Sequence, residues 1–84
     1  MYELRFDTEA TDFLNKLPKT IKSRIFNKII SSKSTPFHFY ERVRGRSEYK
    51  LRIGDYRAIA DINQDSKRIE IRVIGHRKNI YKPK

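Results

Sequence analysis

Tyr49-Lys50-Leu51-Arg52-Ile53-Gly54-Asp55-Tyr56-Arg57 carries the two arms and the corner of a β-hairpin. Tyr49, Leu51 and Ile53 alternate with Lys50 and Arg52, the period of a strand with one buried and one wet face. Gly54-Asp55 suits a two-residue turn, because Gly takes positive φ without a steric penalty. A second alternating run follows, with Tyr56, Ala58, Ala60 and Ile62 on one side and Arg57, Ile59 and Asp61 on the other. A two-residue loop sets Ile53 against Tyr56 on the core side and Arg52 against Arg57 on the open side, with Lys50 one step along. Like charges directly opposite, their Cβ atoms roughly 4.5–5.5 Å apart, destabilise a sheet. Solvent can screen such a patch, and a bound anion can neutralise it.

Eighty-four residues make one domain, 1–84, with a thin core and no cysteine to brace it. No apolar run approaches the length of about 20 residues that spans a bilayer, and the first residues lack a signal-peptide pattern. The expectation is a soluble cytoplasmic protein with no membrane partner. Twenty Lys and Arg against ten Asp and Glu give a formal net charge of +10, which calls for a polyanionic partner.

Outward from the hairpin, Tyr2, Leu4 and Phe6 alternate as a short first strand. Asp7 or Thr8 then caps a helix whose apolar stripe is Ala10, Phe13, Leu14 and Leu17. Pro18 ends it and opens a second helix carrying Ile21, Ile25, Phe26, Ile29 and Ile30 on one side and Lys22, Arg24, Asn27 and Lys28 on the other. Residues 31–36 are turn-rich, and residues 37–46 read as an aromatic segment running into an Arg44-Gly45-Arg46 loop. Beyond Ile62, Asn63-Gln64-Asp65-Ser66 marks another turn, and Ile69, Ile71 and Val73 alternate with Arg68, Glu70 and Arg72 in a last strand. Gly75-His76-Arg77 interrupts it, and a basic tail follows. The predicted fold is α+β in the order β-α-α-β-β-β, an antiparallel sheet covered on one face by a helical hairpin. Lys50, Arg52, Arg57, Arg72 and the tail are expected on the open face.

This order, with Tyr-Lys-Leu-Arg-Ile-Gly-Asp-Tyr-Arg at 49–57 and Val-Ile-Gly-His-Arg-Lys-Asn-Ile-Tyr at 73–81, resembles the RelE/ParE superfamily of toxin–antitoxin toxins. The likeness covers nearly the whole chain and is strongest to the RelE branch, whose members cut mRNA in the ribosomal A site. ParE-branch members share the fold but act on DNA gyrase. The resemblance implies a RelE-like toxin domain over 1–84, a mRNA and ribosome target, and an acidic RelB-like antitoxin as partner. It also implies Lys50, Arg57, Arg77 and Tyr81 as catalytic residues, Arg52 as a basic neighbour, and His76 where several relatives place a functional histidine. Glu48 stands where the best-known members carry a lysine.

RNA can be cleaved by attack of its own 2′-OH on the adjacent phosphate, which requires a proton acceptor, stabilisation of the phosphoryl oxygens and a proton for the leaving 5′-oxygen. Arg57 suits the phosphate, since a guanidinium is an always-charged planar fork of donors. Arg77 is placed to clamp the same group. Lys50 is the candidate base or electrostatic stabiliser, and His76 or Tyr81 the proton donor. Arg44, Arg52, Arg72, Lys78 and Lys82 are candidates for RNA binding. No metal or other cofactor is expected, and salt bridges account for Asp61 and Glu70. Two further readings are a ParE-like gyrase inhibitor and a non-catalytic basic RNA-binding module of the same fold.

Overall fold

The hairpin forms with the expected register. In the computed structural model, which describes residues 1–80, Ile53 pairs with Tyr56 and Arg52 with Arg57 across a two-residue turn. Gly54 takes φ +58° and Asp55 does not take positive φ, so the residue without a side chain sits where a Cβ would be strained.

Around this hairpin the elements are β1 (Glu3–Phe6), α1 (Thr8–Asn15), α2 (Lys19–Ser32), α3 (Pro36–Phe39), β2 (Tyr40–Arg42), β3 (Tyr49–Ile53), β4 (Tyr56–Asn63) and β5 (Arg68–His76). They build a five-stranded sheet in the order β1-β5-β4-β3-β2. The α+β class and the helical cover hold. Two features extend the order read from the sequence. Residues 36–42 form a short helix and an edge strand rather than a loop: Pro36 occupies the first helical turn, and Tyr40 points inward while Glu41 and Arg42 stay exposed. The sheet is also mixed, because β1 joins β5 in parallel while every other pairing is antiparallel.

The helices cover one face, α1 against β5 and α2 against β3. Their stripes deliver Ala10, Leu14, Ile25 and Ile29 to a core completed by Tyr40, Leu51, Ile53, Ala58, Ala60, Ile69, Ile71 and Ile74. Each fully buried Ile or Leu contributes about 1.5–3 kcal/mol, which is how so short a chain holds together. Phe26 stays half-exposed and stacks on Phe6 at 5.8 Å between ring centres. Among the described residues no helix is long and apolar enough to cross a membrane.

In β5 a bulge overturns the expected alternation. Ile71 pairs with Ala60 but Val73 with Ile59, so Arg72 is the extra residue and the register shifts between Ile59 and Ala60. Ile74, not Val73, therefore enters the core. Every side chain from Val73 to His76 is turned to the opposite face from the one a regular strand would give it.

One polar pair lies inside the core. Buried Ser32 Oγ lies 2.6 Å from the Ile29 carbonyl oxygen and 3.1 Å from the Tyr40 hydroxyl, within hydrogen-bond reach of both, and so ties α2 to β2. Burial raises the Tyr40 pKa above that of a free tyrosine, against a smaller opposing effect of the Ser32 hydrogen bond. The neutral phenol is thus the form the fold accepts. Its contribution is complete below the unfolded-state pKa of about 10 and is lost as pH rises through the elevated folded value. Tyr40→Phe should cost about 0.5–1.5 kcal/mol at neutral pH in urea unfolding and flatten the alkaline decline in stability. An unchanged alkaline decline in that variant would contradict this assignment.

Candidate functional site

The face away from the helices divides into two halves of different charge. On the β2–β3–β4 side, register sets Glu41 opposite Lys50, Lys50 opposite Ile59, and Arg52 opposite Arg57. Phe39, Glu41, Lys50, Arg52 and Arg57 line one concavity of about 190 Å³. Ile59, buried on this side of the sheet, sits between Lys50 and Val73. Arg57 Nη1 donates to the carbonyls of Gly54 and Tyr56, both at 2.8 Å, so the turn itself positions the guanidinium. Among the described residues no carboxylate lies within 4.0 Å of the cationic atoms of Lys50, Arg52 or Arg57. A concavity with three unpaired cations attracts an anion, and phosphate best matches the planar donors of two arginines.

Arg77 reaches the same end of the sheet. Its backbone N–H donates to the Asp55 carbonyl at 2.8 Å, and its Nε lies 3.8 Å from the Asp55 carboxylate. That anchors it beside the turn whose other residue, Gly54, accepts from Arg57.

His76 is not brought to this concavity. It pairs with Tyr56 on the helical face, its ring edge-on to Tyr56 at 5.7 Å, and Tyr56 packs against Phe13 of α1. Its Nδ1 accepts the Lys78 N–H at 3.3 Å, which makes it the hub of a turn. The bulge at Arg72 is the cause, because one inserted residue moves position 76 to the other face. Lys78 lies in that turn, after β5. Arg44 sits in the β2–β3 loop, at the opposite end of β3 from Gly54. Tyr81 and Lys82 lie outside the described residues.

Arg72 lies on the open face but is already paired. Its Nε is 2.7 Å from Asp7 and its Nη1 2.7 Å from Asp61. The Asp61 hydrogen bond, then the charges of Asp7 and Asp61, raise its pKa. Asp7 holds the N-cap position of α1, yet its side chain makes no cap and turns to Arg72 instead. Glu70, opposite Asp61, has its pKa raised first by the hydrogen bond its protonated carboxyl donates to Asp7 and then by that neighbour's charge. Arg68 pairs with Glu3 at 3.2 Å. A larger depression of about 530 Å³ near this half is lined by Asp61, Asp65 and Glu70, carboxylates that repel phosphate. The β1–β5 half is thus internally neutralised, and the uncompensated charge is concentrated around Arg57.

Glu41 is the residue that sequence reasoning missed. Its only signal was the in/out alternation of Tyr40 and Glu41, too short to identify a strand.

A model of the family described as "ParE toxin of type II toxin-antitoxin system, parDE" matches residues 4–81. The chain belongs to this family, within the RelE/ParE superfamily of toxins. Among solved structures, the toxin resembles the RelBE2 toxin–antitoxin complex of Mycobacterium tuberculosis, at 25% identity and TM-score 0.83 over 90% of this chain and 98% of that one. The archaeal RelE–RelB complex of Pyrococcus horikoshii OT3 matches at 25% identity and TM-score 0.76, over 93% and 97% of the two chains. The RelB–RelE complex of Methanococcus jannaschii matches at 27% and 0.70, over 92% and 94%. No curated protein sequence matches the chain. It is a toxin of a type II toxin–antitoxin system.

If Arg72 is a structural cation, Arg72→Ala should lower the melting temperature, since Asp7, Asp61 and Glu70 then face one another without it. Its toxicity on expression should stay within about two-fold of wild type once protein levels are matched, as expected of a surface ion pair remote from the site. Loss of toxicity with an unchanged melting temperature would place Arg72 in the functional surface instead.

Proposed function

We propose that this toxin is a ribosome-dependent endoribonuclease that cuts mRNA in the A site by metal-independent attack of the 2′-OH, and so arrests translation. The observation that carries the reading is the gathering of Glu41, Lys50, Arg52 and Arg57 around one concavity. It combines a carboxylate, an ammonium and two guanidiniums within reach of a single phosphodiester.

In this reading the 2′-oxygen forms a bond to phosphorus as its proton passes to Glu41, which stands opposite Lys50 across the strands. Arg57 and Arg52 donate to the two phosphoryl oxygens as negative charge builds there. The bond from phosphorus to the 5′-oxygen breaks, and that oxygen takes its proton from the Lys50 ammonium. The products are a 2′,3′-cyclic phosphate and a 5′-OH. Arg57 is pre-positioned by the Gly54 and Tyr56 carbonyls, so little reorganisation is needed when charge develops. Arg77, anchored to Asp55, closes the hairpin end of the site. His76 has no part in this scheme. The ribosome would supply substrate placement, and an acidic antitoxin like those in the related complexes would cover the cationic face.

A second reading keeps its place because the matched family is described by its ParE members: gyrase inhibition without RNA cleavage. Purified toxin added to programmed ribosomes and, separately, to a gyrase supercoiling reaction distinguishes the two. Codon-phased cuts with 5′-OH ends and unimpeded supercoiling are expected. Arg57→Ala should slow cleavage by about 10²–10³-fold, and Glu41→Gln by about 10²–10⁴-fold, with folding retained. Cleavage at the wild-type rate by both variants, or inhibited supercoiling with intact message, would overturn the proposal.

A further inference from the structure

A second basic depression borders the first. Between the outer side of α2 and the end of β3, Arg24, Asn27, Lys28, Ser31, Arg52 and Gly54 line a groove of about 510 Å³. Arg52 lines both this groove and the Glu41–Arg57 concavity. Phe39, which lines the concavity, carries the Lys28 ammonium 5.2 Å above its ring, so the two depressions share a wall. β2 begins at Tyr40, opposite Leu51, which leaves the β3 edge beyond Leu51 without a strand partner beside α2. The Arg24 guanidinium lies beside the turn, its Nη2 3.4 Å from where a Cβ on Gly54 would stand. Among the described residues, neither Arg24 nor Lys28 has a carboxylate within 4.0 Å.

We propose that this groove is a second phosphate-binding subsite, which holds the sugar–phosphate backbone of the same single RNA strand beside the linkage seated at Arg57. The inference rests on the reading that RNA occupies the concavity. Its chemistry favours nucleic acid over a protein segment. The lining is cationic and polar, with Ile53 as its one aliphatic residue. A protein partner draws its affinity from buried apolar or aromatic anchors, whereas a nucleic-acid backbone needs cations and hydrogen-bond donors. Arg24 and Lys28 supply the charge, Asn27 and Ser31 the neutral donors, and Arg52 links the adjacent phosphates. Base identity is not read in such a groove, so it sets affinity and direction of the strand rather than sequence preference.

The test uses the full chain and a fluorescent 12-nucleotide single strand of 2′-O-methyl RNA, which has no free 2′-OH and stays intact. Affinity is followed by anisotropy between about 50 and 200 mM salt. Replacing Arg24 and Lys28 together by Ala should reduce the slope of log K against log salt by about 1.4, two phosphate contacts at about 0.7 each. Arg24→Gln with Lys28→Gln should do the same, and both proteins should melt like wild type. A slope within error of wild type for both pairs overturns the groove assignment. If Lys50→Ala with Arg57→Ala lowers the slope while the groove variants do not, the concavity reading stands and the groove falls. If only the groove variants lower it, the groove binds RNA and the concavity reading falls. Weakened binding of a co-produced acidic antitoxin with the RNA slope intact assigns the groove to protein and likewise overturns the proposal.

Discussion

Two arginines facing each other across a hairpin are the constraint around which this protein is arranged. The two-residue turn at Gly54-Asp55 leaves no freedom of register, so once Ile53 and Tyr56 meet over the core, Arg52 and Arg57 must meet above it. The sheet tolerates the repulsion because Arg57 folds its guanidinium back onto the turn carbonyls, where two oxygens compensate part of its charge. What remains is a positive potential fixed to a rigid corner. Such a site gains most from an anion, because binding removes a repulsion that folding has already accepted.

The rest of the open face sharpens that potential by cancelling charge elsewhere. Arg72 and Arg68 are absorbed by Asp7, Asp61 and Glu3, and Glu70 is drawn into the same network through Asp7. A net charge of +10 is thereby expressed unevenly: neutral pairs under β1 and β5, free cations along β2, β3, β4 and the neighbouring side of α2. Diffusing polyanions meet a direction as well as an attraction. The toxin–antitoxin complexes to which the fold is similar carry a partner chain, and in this chain the same uncovered cations are the surface that an acidic partner would need to mask.

How far the sequence could be read follows from two local features. The hairpin was legible because alternation and turn chemistry both act within nine residues, and the helices because their stripes repeat at 3.6. The bulge at Arg72 was not, since Ile69, Ile71, Val73 and Ile74 are all apolar and the run does not say where the ladder slips. That single slip exchanged Val73 for Ile74 in the core and carried His76 to the helical face, away from Arg57. Strand β2 was equally hidden. Three residues cannot display a period, and what identifies Tyr40 as inward is Ser32, eight positions earlier on another element. With β2 unread, Glu41 has no position in the sequence reading, and the candidate site there lacks the carboxylate that lines the concavity.

The most direct test of the account is a two-dimensional ¹H–¹⁵N spectrum of the labelled toxin, arginine side chains included, titrated with a 2′-O-methyl dinucleotide carrying one phosphodiester. The account predicts that the Nε–H signals of Arg52 and Arg57 and the amides of Glu41 and Lys50 move together on one binding curve, while Arg72 and His76 stay still. Shifts centred on Arg72 or His76, with the hairpin arginines unmoved, would contradict it.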